Sequence, residues 1–271
     1  MPELPEVETT RIGIAPYVLG EKIDTVIIRE ARLRWPVSRQ LKRKITGRVV
    51  RKLTRRAKYL LFHFENGYML VHLGMSGSLR ILPEPIKAEK HDHVDFVFES
   101  GRILRFRDPR RFGCILWTDD DPGQHVLLCS LGPEPLSDEF NGNYLFQRAR
   151  NRTQSIKTFI MDSRTVVGVG NIYANEALFA SGIRPKTKTG KITKTRYEKL
   201  AAAIKTVLKK ALAKGGTTLR DFVNGAGEPG YFRHELQVYD RAGEPCIKCQ
   251  TPIKVERLGQ RSTFYCPNCQ K

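Results

Sequence analysis

The chain predicts a multidomain α+β protein: an N-terminal helix leading into an antiparallel β-sandwich, then a helical domain, then a small C-terminal domain built on four cysteines. Three observations carry this. Between about residues 22 and 118, apolar and polar residues follow a strand-like pattern punctuated by turn signals. Beyond Gly132-Pro-Glu-Pro135, a natural boundary rich in breakers, the apolar period becomes helical. The last 30 or so residues hold Cys246-x2-Cys249 and Cys266-x2-Cys269. The boundaries drawn from these shifts are 1–132, 133–236 and 237–271.

Residues 3–15 read as a helix with Leu4, Val7, Arg11 and Ile14 on one face and three glutamates in its first turns, where the helix dipole favours negative charge. Pro5 is tolerable that early, whereas Gly13 and Pro16 are expected to weaken or end the helix. Tyr59-Leu-Leu-Phe-His-Phe64 and Tyr68-Met-Leu-Val-His-Leu73 flank Asn66-Gly67, the signal of a type I′ hairpin. His93-Val-Asp-Phe-Val-Phe98 and Ile103-Leu-Arg-Phe106 flank Ser100-Gly101 and form a second hairpin pattern. Repeated hairpins in this span predict the sandwich. Lys186 to Lys194 reads as a polar linker. After it, Thr195 and Glu198 form a capping-box pattern ahead of Leu200, Ile204, Val207, Leu208, Ala211 and Leu212, and Gly215-Gly216 closes that helix.

Lys and Arg number 47 against 28 acids, a formal charge of +19. The excess is +7 over 1–132, +8 over 133–245 and +4 over 246–271. A chain basic in every segment is suited to a polyanion, with nucleic acid the leading partner. No apolar run is long enough to span a bilayer, and the acidic start is unlike a signal peptide, so a cytoplasmic protein is expected. In a reducing compartment the two close cysteine pairs, 16 residues apart, match a four-thiolate zinc ribbon better than two disulfides. Cys246, Cys249, Cys266 and Cys269 are therefore the expected metal ligands. Cys114 and Cys129 fit no such spacing and are expected in the core. No heptad or dimer seam is visible, which leaves a monomer as the default.

The first eight residues, Met1-Pro-Glu-Leu-Pro-Glu-Val-Glu8, carry the most chemistry. If Met1 is removed, Pro2 becomes a free secondary amine beside Glu3 and Glu6, equipment for covalent catalysis on an aldehyde-like carbon through a Schiff base. Further on, Ile156-Lys-Thr-Phe-Ile-Met-Asp162 and Val166-Val-Gly-Val-Gly-Asn-Ile-Tyr173 read as two helices joined by a glycine-containing turn. Such a turn offers N–H groups and a helix N-terminus to a phosphate, with the Asn171 amide as a further donor. The same spacing equally suits a tight connection with Asn171 as N-cap.

The octapeptide resembles the start of bacterial formamidopyrimidine-DNA glycosylases, and the pair of helices resembles the helix–two-turn–helix of the superfamily that these enzymes form with endonuclease VIII. The resemblance runs through the whole chain in order. It implies excision of oxidised purines, 8-oxoguanine and formamidopyrimidines, from duplex DNA through a Schiff base on Pro2, followed by β,δ-elimination at the abasic site. Glu3 would serve proton transfers at the sugar. Lys58, in Arg56-Ala-Lys-Tyr-Leu60, matches a lysine at the reacting centre, and Arg261 an arginine at the ribbon tip. Met75 in His72-Leu-Gly-Met-Ser-Gly77, with Arg110 and Phe112 in Asp108-Pro-Arg-Arg-Phe-Gly113, match residues that fill the space left by an extruded nucleotide; apolar wedges unstack a base step and Arg bonds the orphaned base. Lys157, Arg152 and His91 match or fall near phosphate contacts. Lys90-His-Asp-His93 also invites a metal reading, which the cysteine site makes unnecessary. Thr217 to Phe232 resembles a loop that closes over the flipped base. Two alternatives stand beside this: an endonuclease VIII-like enzyme for oxidised pyrimidines, and a non-enzymatic zinc-ribbon DNA-binding protein.

Overall fold

The computed structural model describes residues 2–216 and 232–271. Met1 and the stretch from Thr217, all but the last residue of the loop expected to close over a base, lie outside the described residues. Two compact units emerge, one running to Ser130 and including residues 214–216, the other from Leu131 to Ala213 and again from Phe232 to Lys271.

The first unit opens with α1 (Leu4–Val18). Its buried residues Leu4, Val7, Ile14 and Val18 recur at helical spacing and face the core. The helix passes through Gly13 and Pro16, further than the sequence predicts. Pro16 lies in the last turn, where its lost N–H removes one bond, and burial of Val18 just beyond it holds that turn in place. Next come β1 (Ile23–Ile28), a short α2 (Leu41–Ile45), and strands β2 (Lys52–Arg56), β3 (Tyr59–Phe64), β4 (Gly67–His72), β5 (Ser78–Leu82), β6 (Asp92–Phe98), β7 (Ile103–Arg107) and β8 (Cys114–Thr118). They form two antiparallel sheets in the orders β1-β6-β7-β5 and β2-β3-β4-β8. Val26, Leu79, Phe96 and Phe106 from the first share one buried cluster with Leu60, Phe62, Val71 and Ile115 from the second. The expected sandwich is present.

The β3–β4 hairpin forms, but not through a type I′ turn on Asn66-Gly67. Phe64 pairs with Gly67, so the two loop residues are Glu65 and Asn66, neither at positive φ, and Gly67 itself takes φ +145°. Packing explains the glycine. A Cβ there would lie 2.6 Å from both Thr118 O and a Trp117 ring carbon on β8. Cys114 is buried as expected, whereas Cys129 is exposed.

The second unit contains α3 (Gly142–Ala149), α4 (Ile156–Met161), α5 (Asn171–Ala180) and α6 (Lys194–Ala213), then the hairpin β9 (Lys254–Leu258) and β10 (Arg261–Tyr265). Helix α6 starts one residue before the predicted cap: the Arg196 N–H approaches Thr193 Oγ1 at 3.4 Å, which puts Thr195 inside the helix. Gly215 and Gly216, at φ +71° and +82°, follow its end. The ribbon packs on α5 through Phe179, Val238, Ile253 and Phe264. No helix of the described residues is long and apolar enough to cross a membrane.

Gly67→Val should destabilise the first unit by about 1–3 kcal/mol, the usual cost of overpacking, as measured by the midpoint of urea unfolding. An unchanged midpoint would mean that Trp117 yields freely.

Candidate nucleic-acid interface and metal centre

In the first unit the head of α1 is built from buried charge. Glu3 is 3 % exposed and Glu6 2 %. They form a capping box, in which Glu6 Oε2 accepts from the Glu3 N–H at 2.8 Å. Each carboxylate thereby satisfies an N–H that the helix start would leave unpaired. Pro2, buried, is held directly ahead of this box. About one turn along α1, Glu8 pairs with both Arg11 (2.7 Å) and Arg55 (2.9 Å). Burial raises the Glu8 pKa, but the two guanidinium groups outweigh it and the carboxyl sits below its ordinary value.

Arg55 links this helix to the turn carrying Lys58. Its Nη1 donates to Ala57 O at 2.9 Å. Ala57 and Lys58 are the two residues between the paired Arg56 and Tyr59, and Ala57 is held at φ +54°, a left-handed conformation uncommon for a residue with a Cβ. Lys58 lies close enough to His72 to depress its pKa. Burial is the larger cause, and together with the charges of Lys58 and Arg34 it brings His72 down to about 4. His72 is thus neutral at neutral pH, with its ring 4.7 Å from that of Tyr59 and its Nδ1 accepting from Gly74 N–H at 2.9 Å.

Met75 and the Arg110–Phe112 segment, 35 residues apart in sequence, meet at one end of the sandwich. A Cβ on Gly74 would fall 2.3 Å from Phe112 C and 2.4 Å from Gly113 N, so the two loops run backbone against backbone. Arg110 lies over the Phe112 ring at 5.0 Å, and Phe112 is 44 % exposed. Met75 is half-buried. An exposed aromatic under a guanidinium is poorly explained by core packing and well suited to stack against a base. His91, at φ +81°, precedes β6. Its neighbours Asp92 and His93 are engaged elsewhere, Asp92 with Arg105 and Arg107 and His93 with Asp108 O, so the tract forms no metal cluster.

In the second unit the two turns between α4 and α5 place Asn171 as the first residue of α5, with Gly170 as N-cap. Asn171 is therefore not the cap. Its Nδ2 donates to Ser262 O at 3.1 Å. Lys157 is 1 % exposed, and its Nζ donates to the same carbonyl at 2.9 Å and to Thr263 Oγ1 at 2.7 Å. The sequence suggested a phosphate contact for Lys157; here its ammonium is engaged by the ribbon hairpin. The tip of that hairpin is a type I′ turn, with Gly259 and Gln260 at φ +52° and +61° between the paired Leu258 and Arg261. A Cβ on Gly259 would come within 2.9 Å of Thr158 on α4, so the tip is seated on that helix. Arg261 and Arg152 are exposed. Asn175 Oδ1 accepts from Phe264 N–H at 2.9 Å. The buried Glu176 carboxylate accepts from Gln237, Val238 and Tyr239 N–H groups at 2.9–3.0 Å. Burial raises the Glu176 pKa in spite of these three bonds. Asn175 and Glu176 were not singled out in the sequence, because their partners are main-chain groups more than 60 residues away.

The four ribbon cysteines bring their sulfurs within 4.8 Å of one another. Cys246 and Cys269 Sγ are 3.9 Å apart, and Cys249 and Cys266 Sγ 3.5 Å. These separations are too long for disulfides and near the ~3.8 Å edge of a tetrahedron with ~2.3 Å Zn–S bonds. Lys248 N–H and Cys269 N–H point at Cys246 Sγ and Cys266 Sγ, the donors that orient thiolate ligands. The donor set fits one structural zinc ion.

The fold and these sites define a helix–two-turn–helix protein with a zinc finger and a β-sandwich domain. Family models agree along the chain: the formamidopyrimidine-DNA glycosylase N-terminal domain matches residues 1–115, its H2TH domain 131–223, and the zinc finger found in FPG and IleRS 243–271. Formamidopyrimidine-DNA glycosylases of Methylococcus capsulatus and Marinobacter nauticus are 57 % and 56 % identical to it over the full length of both chains. Among solved structures it resembles the MutM (FPG) protein of Thermus thermophilus (36 % identity, TM-score 0.89, 99 % and 98 % of the two chains). It also resembles a Lactococcus lactis FPG mutant in complex with Fapy-dG-containing DNA (32 % identity, TM-score 0.93, both chains in full). The chain belongs to the formamidopyrimidine-DNA glycosylase family.

Two outcomes follow. Because the folded pKa of His72 is lowered, the unfolded chain binds the proton first between pH 6.5 and about 4. The melting temperature should fall on acidification through that window, and His72→Gln should flatten the fall. Denaturation should release one zinc per chain to a metallochromic dye, and stripping zinc should abolish duplex binding, since the hairpin carrying Arg261 loses its clasp.

Proposed function

We propose that this chain excises oxidised purines from duplex DNA with Pro2 as nucleophile and then cleaves the strand at the abasic site. The observation that carries the Pro2 assignment is the buried capping box, which holds Pro2 at a helix start beside Glu3. Removal of Met1 makes the Pro2 nitrogen a secondary amine. Its lone pair attacks C1′ of an extruded nucleotide, the glycosidic bond breaks with its electrons leaving on the base, the base takes up the proton that the nitrogen loses, and opening of the sugar gives an iminium ion. Glu3 delivers the proton that the sugar oxygen takes up on opening. The iminium draws electrons from C2′, whose proton loss expels the 3′ phosphate; a second elimination expels the 5′ phosphate. Lys58 and Arg261 assist these steps.

The remaining residues divide by position. Met75, Arg110 and Phe112 fill the gap in the duplex, and His91, Arg152 and Asn171 meet phosphates. Lys157 supports the same surface by gripping the Arg261 hairpin. The zinc ion supplies cohesion to the ribbon. Relatives solved with Fapy-dG-containing and abasic-site-containing DNA support DNA as the partner, and the +19 charge suits it. The proposal extends to a monomer working in the cytoplasm on nucleoid DNA.

Borohydride trapping on an 8-oxoguanine:C duplex, followed by mass spectrometry of the cross-linked peptide, should find the adduct on Pro2. Glu3→Gln should bind the duplex normally and lose at least about 100-fold in excision, the low end for general acid–base catalysis. No adduct from protein with a verified Pro2 terminus, despite tight binding, would sink the assignment. Preferential cleavage at thymine glycol would point instead to oxidised pyrimidines.

A further inference from the structure

One fully buried carboxylate outside the reacting centre, that of Asp108, touches every piece of the sandwich end expected to meet DNA. Asp108 follows β7, and its relative exposure is 0 %. Its Oδ1 accepts from Ser76 Oγ at 2.7 Å, and its Oδ2 from Gly113 N–H at 2.8 Å. Ser76 Oγ in turn accepts from Arg110 N–H at 3.1 Å. The main chain of Asp108 is equally engaged: its N–H donates to His91 O at 3.0 Å, and its carbonyl accepts from Arg111 N–H at 3.2 Å and His93 Nε2 at 2.8 Å. The residue beside Met75, the segment carrying Arg110 and Phe112, and the main chain of His91 thus converge on one side chain and its peptide groups.

We propose that Asp108 is a positioning residue that locks the Met75 loop and the Arg110–Phe112 loop into a single rigid insertion unit, and so governs extrusion of the lesion nucleotide rather than the covalent step. The inference rests on the reading of these three residues as the duplex-filling group. Unstacking and unpairing a nucleotide costs free energy, and a wedge can apply that only if its backbone does not recoil. Two independent loops would each yield. Two loops packed backbone to backbone, as Gly74 against Phe112 and Gly113 are, and clamped by charge-assisted bonds to one carboxylate, yield far less. A carboxylate suits the task because it accepts at both oxygens at once. An asparagine in its place keeps one acceptor. It can still bond both loops only by presenting its amide NH2 to Ser76 Oγ, which leaves the serine proton without its acceptor.

The test separates extrusion from chemistry. Wild type, Asp108→Asn and Ser76→Ala are compared in single-turnover excision from an 8-oxoguanine:C duplex and in cleavage of a duplex carrying a pre-formed abasic site. Fluorescence of a 2-aminopurine placed next to the lesion reports unstacking on binding. Ser76→Ala, the variant less apt to unfold, should slow excision about tenfold, as loss of one hydrogen bond to a charged group implies. It should also diminish the 2-aminopurine signal and leave abasic-site cleavage within about twofold, because no base need be forced out there. Asp108→Asn should fall between wild type and Ser76→Ala. Equal losses on both substrates, or a full 2-aminopurine signal in both variants, would overturn the inference. An inactive wild type would count against the glycosylase reading instead, and the 2-aminopurine signal, which needs only binding, would still decide the role of Asp108.

Discussion

A charge taken out of water must be met by hydrogen bonds, and that requirement organises the described parts of this protein expected to face DNA. Glu3 and Glu6 are buried and satisfy the first N–H groups of α1. Asp108 collects donors from two loops. Glu176 takes three consecutive N–H groups of the chain entering the ribbon, and the Lys157 ammonium takes two oxygens of the ribbon hairpin. Main-chain groups without strand or helix partners are found in loops and at element ends, so each buried charge fastens one of these. Removing one partner would leave the other unsatisfied in a dry site, which costs more than the bond itself contributes.

Around these clasps the scaffold is ordinary. Two antiparallel sheets bury one apolar cluster, and α1 adds its own stripe to it. The ribbon has a small core of its own, with Phe264 and Ile253 set against Phe179 of α5, and four thiolates placed for one metal ion. Rigid elements thus carry short loops whose exposed side chains, Phe112, Arg110, Arg152 and Arg261, remain available to a polyanion. This division fits chemistry that depends on forcing a nucleotide out of a duplex: the site must be stiffer than the DNA it deforms. It also explains why basic charge is spread along the whole chain, since a duplex is gripped by its phosphates before any base is read.

Much of this was legible in the sequence. The hairpins, the change of period after Gly132-Pro-Glu-Pro135, the paired cysteines and the acidic start on Pro2 are local patterns, and local patterns survive in one dimension. The errors were also local in kind but tertiary in cause. Gly67 reads as half of an Asn-Gly turn, yet it is needed for the approach of Trp117 and Thr118 from β8. Pro16 reads as a stop, yet burial of Val18 carries α1 past it. Asn171 reads as a possible N-cap, yet Gly170 takes that place and the Asn171 amide reaches Ser262 O of the ribbon hairpin.

By itself, the sequence determined the elements, the metal-ligand set and the family, because spacing and residue type suffice for each. Only the tertiary structure decided how the functional segments are held. Ser76 and Asp108 are 32 residues apart, Asn171 and Ser262 are 91, and Lys157 and Ser262 are 105. A hydrogen bond has no sequence signature when its partner is a distant hydroxyl or main-chain carbonyl, since every residue carries such a carbonyl. Burial, which turns that bond from optional to obligatory, is a property of the packed chain alone.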